Sequence, residues 1–340
     1  MEERIVNVPI IDPGRKYWLV RTNAGDFYDE FFMENYIGIG WNKIKLTDLK
    51  INRPLADIVS EKYDEERHNY VANQIIKFTK QINKGDIVLI PSRNSFYISF
   101  GEVIESDAYE DESIPDNLED PEEVMDVDFD GRCPYKKRKK VKWLKTVRRD
   151  SMDPYLYKVI YSHHTISDAT PYAAYIDRLL HSFFVKGSKA HFILEVQKKK
   201  EINAIPLINL INGTLRFPEY YHAATGDNEV SPANVDIKLN VQSPGPIELI
   251  GNIKTIFIIA ASYVAIFGGN IKIVGFEFQT DGFLGKLMQF FNDRHSRDIE
   301  AKRVGLEERQ VSMEEEKLRN ALEELEINLP AEISNSNNEG

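Results

Sequence analysis

The sequence has almost no cysteine, and this limits the chemistry open to it. Cys133 is the single cysteine among 340 residues, so an intrachain disulfide and a metal site built from several thiolates are both excluded. A chain with so little cysteine fits a reducing compartment. No basic segment followed by an apolar stretch marks a secretory signal at the start of the chain. We therefore expect a cytoplasmic location.

Long apolar runs are also nearly missing. Residues 255–271 form a stretch of seventeen uncharged residues that ends in Gly-Gly-Asn-Ile, whereas a bilayer span requires about twenty apolar residues. The favoured interpretation is therefore a buried helix at 253–268 inside an α/β unit. The alternative is that 247–271 inserts into a membrane, which would make the chain a membrane-acting effector.

Two neighbouring segments each lack charge of one sign. Residues 110–130 contain eleven carboxylates and no Lys or Arg, whereas residues 132–149 contain ten Lys or Arg and no carboxylate. The acidic segment has the composition of a surface loop rather than of a helix or strand. In the basic segment Tyr135 and Trp143 are interleaved with the cations, a pattern typical of phosphate contact. The net charge of −11 therefore hides a basic segment that the acidic loop could mask.

The length of the chain predicts two or three domains. Its clearest local signal is a β-hairpin at 84–106, in which β-rich runs at 86–91 and 96–104 flank the polar turn 92–95. The fold class predicted is α+β, with a mixed β-barrel first and a smaller α/β unit after it. The divisions expected are a barrel domain at 15–150, a helical connector at 151–185, an α/β unit at 186–280, a long helix at 281–328 and a disordered tail at 329–340.

Several short motifs occur in a characteristic order. They are Tyr17-Trp18-Leu19-Val20-Arg21, Gly38-Ile39-Gly40-Trp41, Lys84-Gly85-Asp86-Ile87-Val88, Tyr97 with Gly101-Glu102-Val103, and Lys140-Val141-Lys142-Trp143-Leu144. In this order they resemble the amino-terminal module of Mrr-like restriction proteins, which has a PUA/EVE-like fold related to YTH domains. The resemblance covers roughly residues 15–150 and implies a pocket that takes a flipped base between aromatic walls.

Candidate ligand-binding residues come from two places in this module. The expected base-binding set comprises Trp41, Asn42, Tyr97, Arg93 and Asn94, because an aromatic ring at a strand end can stack on a base and turn residues can reach its edge. The expected phosphate-binding set comprises Lys136, Lys137, Arg138, Lys139, Lys140 and Lys142.

The function expected is recognition of DNA, RNA or a nucleotide, with a modified base among the candidates, in a bacterial-type antiphage defence or restriction system. No catalysis, metal or cofactor is expected, because no complete catalytic or metal-binding pattern is found. The alternative is a metal-dependent nuclease with a degenerate site near 177–198, where Asp177 and Glu195 are the nearest acidic candidates. A homo-oligomer formed through the C-terminal helix is expected, together with a partner protein as a further option.

Overall fold

The computed structural model describes residues 3–64, 67–115, 118, 132–239, 245–266, 270–274 and 307–328. It divides the chain into two compact units. The N-terminal unit is Gly14–Leu180, and the C-terminal unit combines Met1–Pro13 with His181–Gly340. The predicted division differs in two places: the segment 151–180 belongs to the N-terminal unit, and the first thirteen residues belong to the C-terminal unit. Most of the predicted acidic loop and the whole predicted tail lie outside the described residues.

The elements before residue 181 alternate between strands and short helices. The strands are β1 (Glu3–Asn7), β2 (Ile10–Ile11), β3 (Tyr17–Val20), β4 (Tyr36–Ile39), β5 (Ile87–Pro91), β6 (Tyr97–Val103), β7 (Tyr109–Glu110), β8 (Lys137–Arg148) and β9 (Ile166–Asp168). The helices are α1 (Tyr28–Met33), α2 (Leu55–Lys62), α3 (His68–Ile76), α4 (Tyr157–Ile160) and α5 (Ala173–Leu180). The predicted hairpin is confirmed as β5 and β6, which pair antiparallel.

The sheet of the N-terminal unit is a curled half-barrel, which confirms the α+β class. Its strand order is β4-β8-β6-β5-β3-β9, and β7 also pairs with β8. The β3–β5 pair is parallel, whereas the other pairs in this sheet are antiparallel. Strand β8 is the longest, and it pairs with β4 through its first residues and with β6 through its later ones.

Apolar side chains cover both sides of this sheet. Strand β5 is therefore buried along its whole length. Val88 and Ile90 face a core that includes residues of α1, α2 and α3. Ile87 and Leu89, which alternate with them, face a second core that includes residues of α4 and α5. This alternation is the reason why the run reads as almost continuously apolar.

The described part of the C-terminal unit contains a second sheet and three long helices. Its further elements are β10 (Phe183–Lys186), β11 (Lys189–Val196), α6 (Ala204–Thr225), β12 (Val235–Leu239), β13 (Gly245–Asn252), α7 (Ile253–Ile266), β14 (Asn270–Val274), α8 (Glu307–Glu324) and β15 (Ile327–Asn328). The sheet has the order β12-β13-β11-β10-β2, with β15 also pairing with β11. Strands β1 and β14 form a separate parallel pair.

The predicted buried helix is confirmed as α7. Its residues from Thr255 to Tyr263 are all buried, and most of them belong to the core that also contains the inward side chains of β11. Within the part of the chain that the structure describes, no helix is both long enough and apolar enough to cross a membrane.

The described part of the predicted C-terminal helix is α8, and its apolar side packs within its own unit. Leu318, Leu322 and Leu325 are buried in the same core as α7. Leu318 lies against α6, where a Cβ placed on Gly213 would stand 3.1 Å from the Leu318 Cβ atom. A homo-oligomer formed through the C-terminal helix stays a prediction, and these three leucines are core residues of their own unit.

Candidate nucleic-acid interface

An indole ring covers a glycine where β8 pairs with β6. Trp143 stands opposite Gly101 in the register of the two strands. A Cβ atom on Gly101 would lie 2.6 Å from Trp143 Cε3 and 2.3 Å from Val141 Cγ1, so only glycine leaves room for the ring. The indole nitrogen donates to the Phe31 carbonyl at 3.3 Å, which fixes the orientation of the ring.

Two further aromatic rings from α1 continue this surface. Phe32 stacks on Trp143 with ring centroids 5.7 Å apart, and Tyr28 stacks on Phe32 at 6.1 Å. Phe32 is exposed, whereas Tyr28 and Trp143 are half-buried. The three rings form an aromatic row whose faces and edges suit stacking against another planar group.

Beside the aromatic row, three hydroxyl groups meet. Tyr28 OH lies 2.6 Å from Ser99 Oγ, and Ser99 Oγ lies 2.7 Å from Thr146 Oγ1. Ser99 is fully buried, whereas Thr146 is exposed. Hydroxyl groups both donate and accept hydrogen bonds, so the exposed end of this trio can pair with either kind of polar atom on a ligand.

A bulge in β8 brings these groups to the same face. The register with β6 shifts at Leu144, because Phe100 faces Lys145 while its neighbour Gly101 faces Trp143. The extra residue reverses the alternation of side chains, so Trp143 and Thr146 share a face although they are three positions apart. Without the bulge, the aromatic row and the hydroxyl trio would lie on opposite sides of the sheet.

The same face continues toward the turn between β5 and β6. Tyr97 follows Ser99 in the alternation of β6 and stands opposite Arg148. Arg148 lies over the ring of Phe96 at 5.2 Å, and Phe96 contacts Tyr97 edge to face at 4.9 Å. Phe96 and Tyr97 are 50% and 42% exposed, an unusual degree for two adjacent aromatic residues. We refer to the aromatic row, the hydroxyl trio, Phe96, Tyr97 and Arg148 together as the strip.

Two strained loops meet at the open end of the strip. Asn94 and Ser95 have positive φ angles of 56° and 53°, and Asn23 and Ala24 in the facing loop have values of 50° and 55°. The loops can approach this closely only because Gly25 has no Cβ, which would lie 2.2 Å from the Arg93 backbone nitrogen. Such strain persists only where surrounding contacts impose it, and it concentrates at binding sites.

The predicted base-binding set is divided between two places. Trp41 lies just beyond the end of β4 that pairs with Lys137, whereas Tyr97 pairs with Arg148 at the opposite end of β8. At about 3.3 Å per residue the two ends are about 35 Å apart along the strand. Trp41 and Tyr97 therefore cannot flank one base, which corrects the predicted pocket. Arg93 and Asn94 are exposed in the turn at the Tyr97 end.

Asn42 has a structural role and is not accessible to a ligand. Its side chain is fully buried, and its amide donates to the carbonyls of Leu118 and Pro134 at 2.8 and 2.7 Å. Its carbonyl oxygen accepts from the Lys136 backbone nitrogen at 3.1 Å. All the hydrogen-bonding directions that could read a base edge are thus directed to the backbone.

The predicted phosphate-binding set is also divided, and half of it is buried. Lys136, Lys137 and Lys139 are at most 5% exposed. The Lys137 ammonium donates to the Trp41 carbonyl at 2.7 Å, and the Lys139 ammonium donates to the carbonyls of Ile82 and Ser106. Burial lowers the pKa of Lys139 to about 8. The burial of Lys136, Lys137 and Lys139 contradicts the prediction that they bind phosphate, and Lys137 and Lys139 instead anchor neighbouring loops.

Three cations of this set contact carboxylates. Arg138 forms an ion pair with Asp111 at 2.8 Å, Lys136 approaches Glu112 at 3.6 Å, and Lys140 pairs with Glu105 at 3.2 Å. Lys140 and Lys142 are exposed. The start of the acidic segment thus lies against the basic strand, as a masking loop requires, while residues 119–130 lie outside the described residues.

The two acidic candidates for a nuclease site, Asp177 and Glu195, belong to different units. Asp177 belongs to α5 of the N-terminal unit, where its carboxylate accepts a hydrogen bond from Tyr17 OH. Glu195 belongs to β11 of the C-terminal unit. Across the described ranges, no three His, Cys, Asp or Glu side chains stand close enough to hold one metal ion. Cys133 is buried and its thiol pKa is raised to about 12 by that burial, so it is an unreactive thiol.

Most of the strip is not predicted by the sequence. The sequence indicates no binding role for Tyr28, Phe32, Ser99, Thr146 or Arg148, and it marks Trp143 only as an aromatic residue interleaved with cations. One signal was present: Tyr97, Ser99 and Gly101 alternate along β6, so a polar and a very small residue share a face with an aromatic one. The bulge at Leu144 left no comparable signal.

Comparison with known proteins gives one family for part of the chain. A family described as a domain of unknown function (DUF8426) matches residues 16–170. This range lies within the N-terminal unit and covers nearly all of it. No curated protein and no solved structure matches the chain.

Proposed function

We propose that the N-terminal unit recognises a nucleobase within a DNA or RNA strand, and that the strip is its binding surface. The observation that supports this most directly is the indole of Trp143 over Gly101, beside a hydroxyl trio whose Thr146 end is exposed. Stacking on an aromatic ring tolerates any base, whereas hydroxyl groups distinguish base edges by their hydrogen bonds.

Charge at the open end of the strip is consistent with a nucleic-acid strand. Arg93 and Arg148 are exposed there, and Arg149 donates to the Asn94 carbonyl at 3.3 Å. These cations would follow a phosphate backbone on either side of a stacked base, and binding would weaken with salt.

The resemblance to the module of Mrr-like restriction proteins extends the proposal. A PUA/EVE-like module that reads bases would suit a sensor in a bacterial-type defence or restriction system, with modified bases as natural ligands. The C-terminal unit would then transmit the binding event to a partner or to a second copy of the chain.

The test compares two tryptophans that lie at opposite ends of β8. Binding of fluorescently labelled single-stranded DNA and RNA is followed by anisotropy, with oligonucleotides that carry unmodified, methylated or hydroxymethylated bases. Trp143→Ala should weaken binding by about 1–3 kcal/mol, which is the contribution of one stacked base. Trp41→Ala should leave the affinity near that of the parent protein, because this ring lies outside the strip.

Circular dichroism and the thermal midpoint of each variant show whether it is folded. Equal affinity of a folded Trp143→Ala variant and the parent would refute the strip as the binding surface. A larger loss for Trp41→Ala than for Trp143→Ala would instead place the ligand at the other end of β8.

A further inference from the structure

Strand β12 forms one edge of the six-stranded sheet in the C-terminal unit. Among the described strands, only β13 pairs with it. The outer side of an edge strand carries backbone N–H and C=O groups that can pair with another strand. Strand β12 is only five residues long, so few hydrogen bonds can form along its edge. A strand that pairs with it must therefore have side chains that complement those of β12.

The residues of β12, Val-Asp-Ile-Lys-Leu, are complementary to a second copy of themselves. In an antiparallel pair centred on Ile237, Asp236 stands opposite Lys238 of the second copy, and Val235 stands opposite Leu239. Directly opposed residues of opposite charge attract, and opposed apolar residues cover each other. Each of these contacts occurs twice because the pair is symmetric.

The side chains concerned are accessible within one copy. The side chains of Asp236 and Lys238 are 73% and 58% exposed, although they also approach Lys189 and Glu248 at 3.2 and 3.9 Å. Leu239 is 46% exposed, which is high for a leucine at the end of a strand whose other apolar residues, Val235 and Ile237, pack against the core.

Alternative registers of the same pairing are unfavourable. A shift of two residues in one direction places Asp236 opposite Asp236, and a shift in the other direction places Lys238 opposite Lys238. A shift of one residue brings charged positions opposite apolar ones, because the side chains of a strand alternate between its faces. The charges of β12 thus favour one register of self-pairing.

We propose that two copies of this chain associate through antiparallel pairing of their β12 strands, which would join the two sheets into one. The contact is short, so the dimer should dissociate on dilution, as small interfaces do. This dimer does not depend on the strip, and it uses a different surface from the C-terminal helix.

Charge reversal gives a test that controls for misfolding. Sedimentation equilibrium measures the dimerisation constant of the full chain, of Asp236→Lys, of Lys238→Asp and of the double variant. Each single variant should dimerise at least about tenfold more weakly, because two attractive pairs become repulsive. The double variant should recover, since its charges are exchanged but remain complementary.

An equimolar mixture of the two single variants should also associate, because one copy then offers two lysines and the other two aspartates. Glu201→Lys makes the same charge change as Asp236→Lys outside the strand and should dimerise like the parent. A parent protein that stays monomeric, or single variants that dimerise as tightly as the parent, would overturn the proposal.

Discussion

The buried ammonium group of Lys139 makes the stability of the N-terminal unit depend on pH in a predictable direction. Burial lowers the pKa of Lys139 to about 8 in the folded chain, against 10.5 for an exposed lysine. Between these values the unfolded chain binds a proton that the folded chain does not. The free energy of unfolding therefore rises with pH across this window, and below about pH 8 the cost of burying the charge is fully present.

The magnitude follows from the size of the window. Each pH unit above the folded-state pKa contributes about 1.4 kcal/mol until the unfolded-state value is reached. Between pH 7.5 and 9.5 the contribution of Lys139 should therefore amount to about 2 kcal/mol. Measurements stop at pH 9.5 because burial also raises the pKa of tyrosines such as Tyr36. At higher pH these tyrosines lower the free energy of unfolding as the pH rises, which opposes the effect of Lys139.

The measurement is the difference between the parent and Lys139→Met in urea unfolding at several pH values. Methionine retains the length of the side chain and cannot ionise. Tryptophan fluorescence reports on the correct unit, because all three tryptophans lie within Gly14–Leu180. The stability of the parent relative to the variant should increase by about 2 kcal/mol from pH 7.5 to 9.5.

The same substitution at the exposed neighbour Lys140 controls for the loss of a charge from β8. A difference between the parent and Lys139→Met that stays constant across this range would show that Lys139 has the same proton affinity in both states. The reasoning from burial would then be refuted.

Two further substitutions test the packing of each unit. Gly101→Ala should destabilise the N-terminal unit by about 1–3 kcal/mol, because its Cβ would overlap the ring of Trp143 and the side chain of Val141. Gly38→Ala is the milder comparison, because the nearest atoms to its Cβ would lie at 3.4 Å. Equal urea midpoints for the two variants would contradict the expected overlap. Leu318→Ala should cost the C-terminal unit about 2–5 kcal/mol, as for other buried leucines. Far-ultraviolet circular dichroism should detect this loss, and an unchanged helical transition would show that α8 does not contribute to that core.

The sequence predicted strands β5 and β6, because runs of apolar and β-branched residues between turn formers indicate buried strands. The hairpin at β5 and β6 and the buried helix α7 follow from such patterns alone. Charge alone predicts phosphate contact along the whole basic segment, but half of the predicted set is buried. The alternation of side chains along β8 explains the burial. Lys137 and Lys139 lie on the same face of the strand as the core residue Val141, whereas Lys140 and Lys142 lie on the outward face.

The binding strip could not be predicted to the same extent. Its aromatic rings come from α1, β6 and β8, which are far apart in the chain, and the bulge at Leu144 decides which residues of β8 join them. A single inserted residue in a strand reverses every later side chain, and no local preference marks where it occurs.

The pairing of β2 with β10 has a consequence for how the chain is made. Residues Ile10–Ile11 complete their sheet only with Val185–Lys186, so roughly 170 residues must be synthesised between the two partners. At about 5–20 residues per second, the first strand waits about 10–30 seconds on the ribosome. The whole of Gly14–Leu180 emerges during this delay and can fold first, as an insertion in the sequence of the C-terminal unit.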